Sequence, residues 1–173
     1  MRIVTCPDEL KLSDLCSKKV KVFLAGGISG CPDWQSEVIA SVDAYPWVDK
    51  TAILINPRRA DFDTSNLNMS KDQIDWERRH LEAADLVLFW FPKETLCPIT
   101  LLELGKCMVT GKPLVVGTHA EYARRFDVNY QVKVEPRAKL LSGLVSDSFI
   151  NLKAALLYGI DFVNRERQER EKT

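Results

Sequence analysis

The sequence predicts an α/β fold in which a parallel sheet of about five strands is covered by helices on both faces. Short apolar runs without polar alternation are typical of strands that are buried on both faces. These runs alternate along the chain with stretches whose apolar residues recur at helical spacing. The length of 173 residues suits one domain. We interpret residues 1–173 as a single domain, with an N-terminal arm over 1–18 and a charged helix end over 164–173.

Five apolar runs are predicted to be strands, each closed by residues typical of turns. They cover residues 20–25, 51–55, 86–91, 113–117 and 131–134. An earlier apolar pair, Ile3 and Val4, is interpreted either as an added edge strand or as part of a loose arm. Helices are predicted over residues 33–44, 70–84, 99–109 and about 121–125, and from near Asp147 to the charged end. Ser70 is the predicted N-cap of the second helix.

Composition excludes several classes of function. Lysine plus arginine equals aspartate plus glutamate at 24 each, so no basic field favours a nucleic-acid polymer as a partner. Five cysteines without a CxxC pair indicate reduced thiols, and two histidines offer no metal-ligand cluster. We therefore expect neither metal nor cofactor. The start of the chain lacks a signal-peptide core and no run reaches membrane-spanning length, which predicts a cytoplasmic protein with no membrane partner.

Glu103 is the main catalytic candidate. It is the only acid in an otherwise apolar segment, residues 98–105, that follows the predicted strand 86–91. An ionised carboxylate is costly to bury without a partner, and helices that follow strands present catalytic groups at the carboxyl edge of a sheet. The predicted place of Glu103 in the first helical turn would favour its ionised form. The alternative is a partly exposed glutamate on an amphipathic helix.

Glu77 is the second catalytic candidate. It lies at helical spacing from Ile74 and Leu81, which predicts that it faces inward. Two carboxylates in one cleft suit the chemistry of glycosidic bonds. The alternative is a buried ion pair with Arg58 or Arg59.

Residues at the ends of two predicted strands are candidates for substrate binding. The glycines of the turn 26–30, Gly26 and Gly27 in particular, would let backbone N–H groups approach a ligand. The other candidates follow these strand ends or precede the helix of Glu103: Trp34, Gln35, Asn56, Arg58 and Cys97. Trp34 would stack on a base or fill the core, and Arg58 would bind a phosphate or form a surface ion pair. Cys97 has no histidine near it in sequence and is interpreted as a cleft-lining residue.

Six short segments occur in an order that resembles a known family. They are FLAGG (23–27), DWQ (33–35), NPRR (56–59), QIDWE (73–77), AD (84–85) and PITLLELG (98–105). Between about Val22 and Val116 the chain resembles the nucleoside 2-deoxyribosyltransferase family, in its deoxyribosyltransferase-like branch. The resemblance implies a flavodoxin/Rossmann-like three-layer sandwich, a nucleoside or nucleotide as small-molecule substrate, and a homo-oligomer whose subunits complete one another's sites.

The resemblance also implies roles for individual residues. Glu103 falls on the nucleophile that attacks the anomeric carbon of a 2-deoxyribonucleoside, and Glu77 falls on a residue that handles the base or the sugar. Where the family has an aspartate that protonates the base, this chain has Cys97, so Glu77 or Glu94 would have to supply the proton.

We therefore expect cleavage, with or without transfer, at an N-glycosidic bond. The close variant is a nucleoside 5′-monophosphate N-glycosidase, in which Arg58, Arg59 and the glycine turn would bind the phosphate. The rival from another class is a non-catalytic nucleotide-binding or sensor module, and a third alternative is a flavodoxin-like electron carrier.

Overall fold

Four of the predicted strands form the centre of a six-stranded parallel sheet. The structure is a computed structural model, and it describes residues 1–63, 65–141 and 148–172. The strands are β1 (Arg2–Thr5), β2 (Val20–Gly26), β3 (Ala52–Asn56), β4 (Leu86–Phe91), β5 (Pro113–Thr118) and β6 (Lys139–Leu140). Their order across the sheet is β1-β3-β2-β4-β5-β6, and the register places Val22 beside Leu54 on one side and Leu86 on the other.

The helices connect these strands. They are α1 (Leu12–Leu15), α2 (Trp34–Asp43), α3 (Pro46–Thr51), α4 (Leu67–Ala83), α5 (Pro98–Met108), α6 (Arg125–Val134) and α7 (Phe149–Arg170). Helices α2, α3 and α7 pack with one face of the sheet in a core cluster that includes Val38, Leu88 and Leu156. Helices α4, α5 and α6 pack with the other face in a second cluster. The predicted three-layer α/β sandwich is thereby confirmed.

The central strands are continuous apolar runs because both of their faces are covered. All six residues of β4 are buried, as are the first six residues of β2. Within the described residues, no helix is both long enough and apolar enough to cross a membrane.

The predicted strand over residues 131–134 is wrong, because these residues end helix α6. The apolar residues that are buried there, Val128 and Val132, stand four apart, whereas Val134 is half exposed. Burial therefore follows the helical period and not the strand period. The predicted helix over 121–125 is also wrong, since the helix in this region begins at Arg125.

Three other predictions concern the edge strand and the starts of two helices. Residues 2–5 form the edge strand β1, which pairs with β3, so the edge-strand interpretation of Ile3 and Val4 is the one that the structure shows. Helix α4 begins earlier than predicted, because the Asn66 side chain accepts hydrogen bonds from Asn68 N and Met69 N and caps it. The predicted start of the last helix near Asp147 lies outside the described residues.

Candidate functional site

A cavity of about 350 Å³ opens at the carboxyl ends of β2 and β4. The strand order reverses at this point, since β2 continues through α2 and α3 to β3 on one side, while α4 leads to β4 on the other. Loops that leave such a switch point diverge and leave a crevice, which is where open α/β sheets bind their ligands. The two loops that leave here carry the glycine turn and the segment 95–100, and both line the cavity.

Glu103 lies on the wall of this cavity. It is the sixth residue of α5, so the prediction that it lies in the first helical turn is wrong. Burial, followed by the negative charge of Glu77, raises the pKa of Glu103 to about 8, although Lys106 acts in the opposite direction. The raised pKa favours the protonated form of Glu103 in the free protein, contrary to the expectation from the helix dipole.

Glu77 lies on the same cavity wall, on helix α4. The buried face of α4 consists of Gln73, Trp76 and His80, so the prediction that Ile74 lies on the core-facing stripe is wrong. Ile74 is 61% exposed and lines the cavity instead. Glu77 is thus next to the core face, on the side of α4 that faces the cavity.

Glu77 is held by an amide and not by an arginine. Gln73 Nε2 donates a hydrogen bond to Glu77 Oε1 over 2.8 Å. The two arginines proposed as its partners pair elsewhere, Arg58 with Asp33 at 3.1 Å and Arg59 with Asp61 at 2.6 Å. Burial raises the pKa of Glu77, and the Gln73 hydrogen bond opposes that effect.

The glycine turn after β2 is packed too closely for side chains. A Cβ atom on Gly26 would lie 2.4 Å from the Trp90 carbonyl oxygen and 2.5 Å from Trp34 Cζ2. A Cβ atom on Gly27 would meet the thiols of Cys31 and Cys97 at 2.9 and 3.0 Å. Glycine is therefore required at both positions because of space, and both line the cavity.

Four residues predicted to bind substrate lie behind the glycine turn, as its support: Trp34, Gln35, Asn56 and Arg58. They are absent from the described wall of the cavity. Arg58 N donates to Asn56 Oδ1 over 3.0 Å, and Arg58 Nε donates to Gln35 Oε1 over 2.9 Å. Their direct contact with a substrate stays a prediction. Trp34, Gln35 and Arg58 each donate a hydrogen bond to the Gly27 carbonyl, over 2.9, 3.4 and 3.4 Å. Asn56 acts on the turn through Arg58.

Cys97 lies at the junction between the loop after β4 and helix α5. It caps α5 in a left-handed conformation (φ 49°, ψ 54°), and its side chain is buried against the cavity. Burial raises the pKa of the Cys97 thiol to about 12, which makes it a poor proton donor. Glu94, the other proton source considered, is exposed and lies outside the described cavity wall.

Several residues that line the cavity were not identified as site candidates from the sequence: Phe23, Phe62, Ile99, Ser70 and Thr100. Thr100 could have been predicted from the sequence, because it precedes Glu103 by three residues and therefore lies on the same face of the helix. Phe62 lies in the loop between β3 and α4, where no periodicity indicates which side chains turn inward.

The arrangement combines an apolar pocket with two carboxyl groups whose charges interact. Such a pair suits acid–base or nucleophilic chemistry at a small molecule. Among the residues that the structure describes, no cluster of three or more histidine, cysteine or acidic side chains is arranged to hold a metal ion.

Comparison with known proteins agrees with this architecture. A family model described as "nucleoside 2-deoxyribosyltransferase like" matches residues 19–122. The crystal structure of a conserved protein from Enterococcus faecalis V583 superposes with a TM-score of 0.54 and 18% sequence identity, covering 80% of this chain and 98% of that chain. At this identity the likeness concerns the fold alone. No curated protein matches the sequence. The family match covers more than half of the 173 residues, and the chain therefore belongs to the nucleoside 2-deoxyribosyltransferase-like family.

Proposed function

We propose that the protein cleaves the N-glycosidic bond of a 2-deoxynucleoside or nucleotide through a covalent intermediate on Glu103. The observation that carries this proposal is the convergence of Glu77 and Glu103 on one cavity at the switch point of the sheet. The family acts on small-molecule nucleosides, and the cavity volume of about 350 Å³ is within the usual range for small-molecule sites.

The first chemical step breaks the bond between the sugar and the base. Once Glu103 has passed its proton to Glu77, an oxygen of the ionised Glu103 carboxylate attacks the anomeric carbon, and the bonding electron pair leaves with the base nitrogen. The leaving base takes a proton. Glu77 is the suitable donor, because it lines the same cavity, whereas the buried Cys97 thiol holds its proton too tightly.

The second step resolves the glycosyl ester. Water attacks the anomeric carbon, the Glu103 carboxylate leaves, and the water proton passes to the pair of carboxyl groups. A second free base in place of water would give base exchange. The Cys97 thiol at the position of the family's aspartate favours hydrolysis, because an incoming base also needs proton transfer at its nitrogen.

The test is chromatographic. The protein is incubated with each 2′-deoxynucleoside and its 5′-monophosphate, with and without a second free base. Free base should accumulate, and Glu103→Ala should lower the rate by several orders of magnitude while its circular dichroism stays that of a folded protein. A folded Glu103→Ala protein with normal turnover would show that Glu103 is not the nucleophile.

The same assay separates the rival functions. A binding module would retain a nucleotide tightly without turnover, and Glu103→Gln would leave that affinity unchanged. New nucleoside that forms only with added base would identify a transferase.

A nucleoside 5′-monophosphate is the second candidate substrate, because Arg59 lines the cavity together with Ser29 and Ser70. A guanidinium and two hydroxyl groups suit a phosphate. Arg59→Met should then raise the KM for the monophosphate about 10- to 100-fold and leave that for the nucleoside unchanged. Equal effects on both substrates would exclude this role.

We also propose that the protein acts in the cytoplasm, as its free cysteines indicate, and that its working form is a homo-oligomer, as the resemblance implies. Light scattering on the purified protein measures its mass directly, and a mass of one chain, 19.7 kDa, would contradict the proposal.

A further inference from the structure

Gln73 is a buried amide whose two ends are both engaged. It lies on α4 with 6% of its surface exposed. Its Oε1 accepts the Cys6 thiol hydrogen over 3.0 Å, and its Nε2 donates to the Pro57 carbonyl over 2.9 Å and to Glu77 Oε1 over 2.8 Å. Burial raises the pKa of Cys6 to about 11, so this thiol keeps the hydrogen that it donates.

These contacts allow one orientation of the amide. If its nitrogen and oxygen exchanged places, the amide oxygen would face two acceptors, Pro57 O and Glu77 Oε1. The NH₂ group is therefore fixed toward Glu77. A fixed donor stabilises the ionised carboxylate more than the neutral acid.

The charge of Glu77 in turn affects Glu103, which lines the same cavity. Two carboxyl groups that share one buried pocket do not both ionise easily, so the pair keeps one proton over a wide pH range. We propose that Gln73 is a positioning residue, which keeps the negative charge of the pair on Glu77 and the shared proton on Glu103 in the free protein. This inference rests on the proposed function for its chemical use.

This arrangement would keep one proton on the carboxyl pair until the leaving base takes it. When Glu103 attacks the sugar, its proton passes to Glu77, and from Glu77 to the leaving base, so that no proton from outside is required. Because Gln73 holds the ionised form of Glu77, it also favours release of that proton to the base.

The other charged and titratable groups near the pair leave this assignment intact. Arg59, on the loop after β3, is engaged by Asp61 at 2.6 Å. On α5, Lys106 lowers the pKa of Glu103, and the buried Cys107 thiol has its own pKa raised to about 11 and stays neutral. Within the part of the chain that the structure describes, Gln73 is the group that donates a hydrogen bond to Glu77.

The test is a carboxyl titration of the complete protein labelled with ¹³C at glutamate side chains. The Glu77 and Glu103 signals are assigned from Glu77→Gln and Glu103→Gln. In Gln73→Met, Glu77 should hold the proton, and the titration midpoint of Glu103 should fall by about one pH unit. Gln131→Met, which removes an exposed amide from α6, should leave both midpoints unchanged.

A double-mutant comparison separates positioning from a structural role. Glu77→Gln should lower the Glu103 midpoint as Gln73→Met does, and the two changes together should lower it no further. Additive effects, or a Glu103 midpoint unchanged in folded Gln73→Met, would overturn the proposal. Should Gln73→Met fail to fold, Gln73→Asn, whose shorter side chain withdraws the NH₂ group from Glu77, is titrated instead. The titration needs no substrate, so its outcome is independent of whether any nucleoside is cleaved.

Discussion

The indole Nε1 of Trp34 donates a hydrogen bond to the Gly27 carbonyl over 2.9 Å. Trp34 belongs to the core cluster on one face of the sheet, whereas Gly27 lines the cavity on the other. The backbone of the glycine turn is therefore fixed by the packing of the opposite layer. A cavity wall built in this way needs little reorganisation when a ligand binds.

The first prediction concerns Gly27→Ala. The new methyl group would lie 2.8 Å from Pro92 Cγ, 2.9 Å from Cys31 Sγ and 3.0 Å from Cys97 Sγ, so the turn or these side chains, of which Cys97 lines the cavity with it, must shift. We expect a loss of about 1–3 kcal/mol in the free energy of unfolding and at least about 10-fold weaker substrate binding. Urea denaturation and ligand titration measure the two effects.

Gly105→Ala is the matched control for this prediction. Gly105 lies on the exposed side of α5, and a Cβ atom there meets nothing within 4 Å. Alanine in the middle of a helix should stabilise the protein by about 0.5–1 kcal/mol and leave binding intact. Similar losses in both variants would mean that close packing is not the reason for glycine at position 27.

The second prediction is a pH-dependent gain in stability for Glu103→Gln. The pKa of Glu103 is raised from 4.5 to about 8 in the folded protein, so between these values the folded state binds more protons than the unfolded state. The contribution of Glu103 to the free energy of unfolding is therefore fully present below pH 4.5 and is lost as the pH rises to about 8. A glutamine at this position does not titrate, so its contribution does not change with pH.

We expect Glu103→Gln to exceed the wild-type protein by about 1–3 kcal/mol at pH 8, an allowance reduced for water in the open cavity. This corresponds to a Tm about 3–8 °C higher. The gain should shrink toward pH 5. Thermal denaturation at several pH values measures it, with Glu94→Gln, an exposed acid, as the unchanged control. A gain independent of pH would contradict the role of burial.

The third prediction contrasts two neighbouring arginines. Arg58→Met removes the ion pair with Asp33, the hydrogen bond to Gln35 and a 2.8 Å bond to the Pro32 carbonyl. We expect about 1–3 kcal/mol of destabilisation, because the buried Gln35 loses a partner. Arg58→Met should raise the KM for nucleosides and monophosphates alike, because the glycine turn itself loosens. Arg59→Met, in contrast, should raise the KM for the monophosphate only. A selective effect of Arg58→Met would place this residue in contact with phosphate.

The buried strands could be predicted because central parallel strands are apolar along their whole length. Strand β4 has six buried residues in a row, a pattern that none of the helices within the described residues has. A strand was wrongly predicted over residues 131–134 because the alternation of Val132 and Val134 is too short to distinguish the strand period from the helix period. The sequence could not decide whether Ile3 and Val4 form an edge strand or a loose arm, because the four residues of β1 are held in the sheet by backbone pairing with β3.

Residues that line the candidate cavity could be predicted where spacing along one element decides the direction of a side chain. Glu103 and Glu77 lie on helices that follow and precede a recognisable strand, and both line the cavity. Arg58 and Arg59 are adjacent in a loop, and no period indicates that the first supports the turn while the second faces the cavity. The Gln73 contact escaped notice because hydrogen bonds between distant elements leave no pattern in the sequence.

The fourth prediction concerns Lys112, at the amino edge of the sheet and far from the cavity. Its Nζ donates to the carbonyls of Leu81, Glu82 and Ala84 at 3.0, 2.6 and 2.6 Å, and so satisfies the end of α4 with all three of its hydrogens. Lys112→Met leaves these carbonyls without that donor. We expect a loss of about 2–3 kcal/mol in unfolding free energy, because the bonds are charge-assisted and partly buried.

Catalysis should be nearly unaffected by Lys112→Met below the melting transition, because the change lies at the opposite edge from Glu77 and Glu103. Urea denaturation with the chromatographic assay on the same samples checks both statements. Lys50→Met, at an exposed position of α3, is the control and should change stability by less than about 0.5 kcal/mol. If Lys112→Met lowered turnover without lowering stability, α4 would transmit changes at its end to Glu77, and the cavity would be less independent of its scaffold than these contacts indicate.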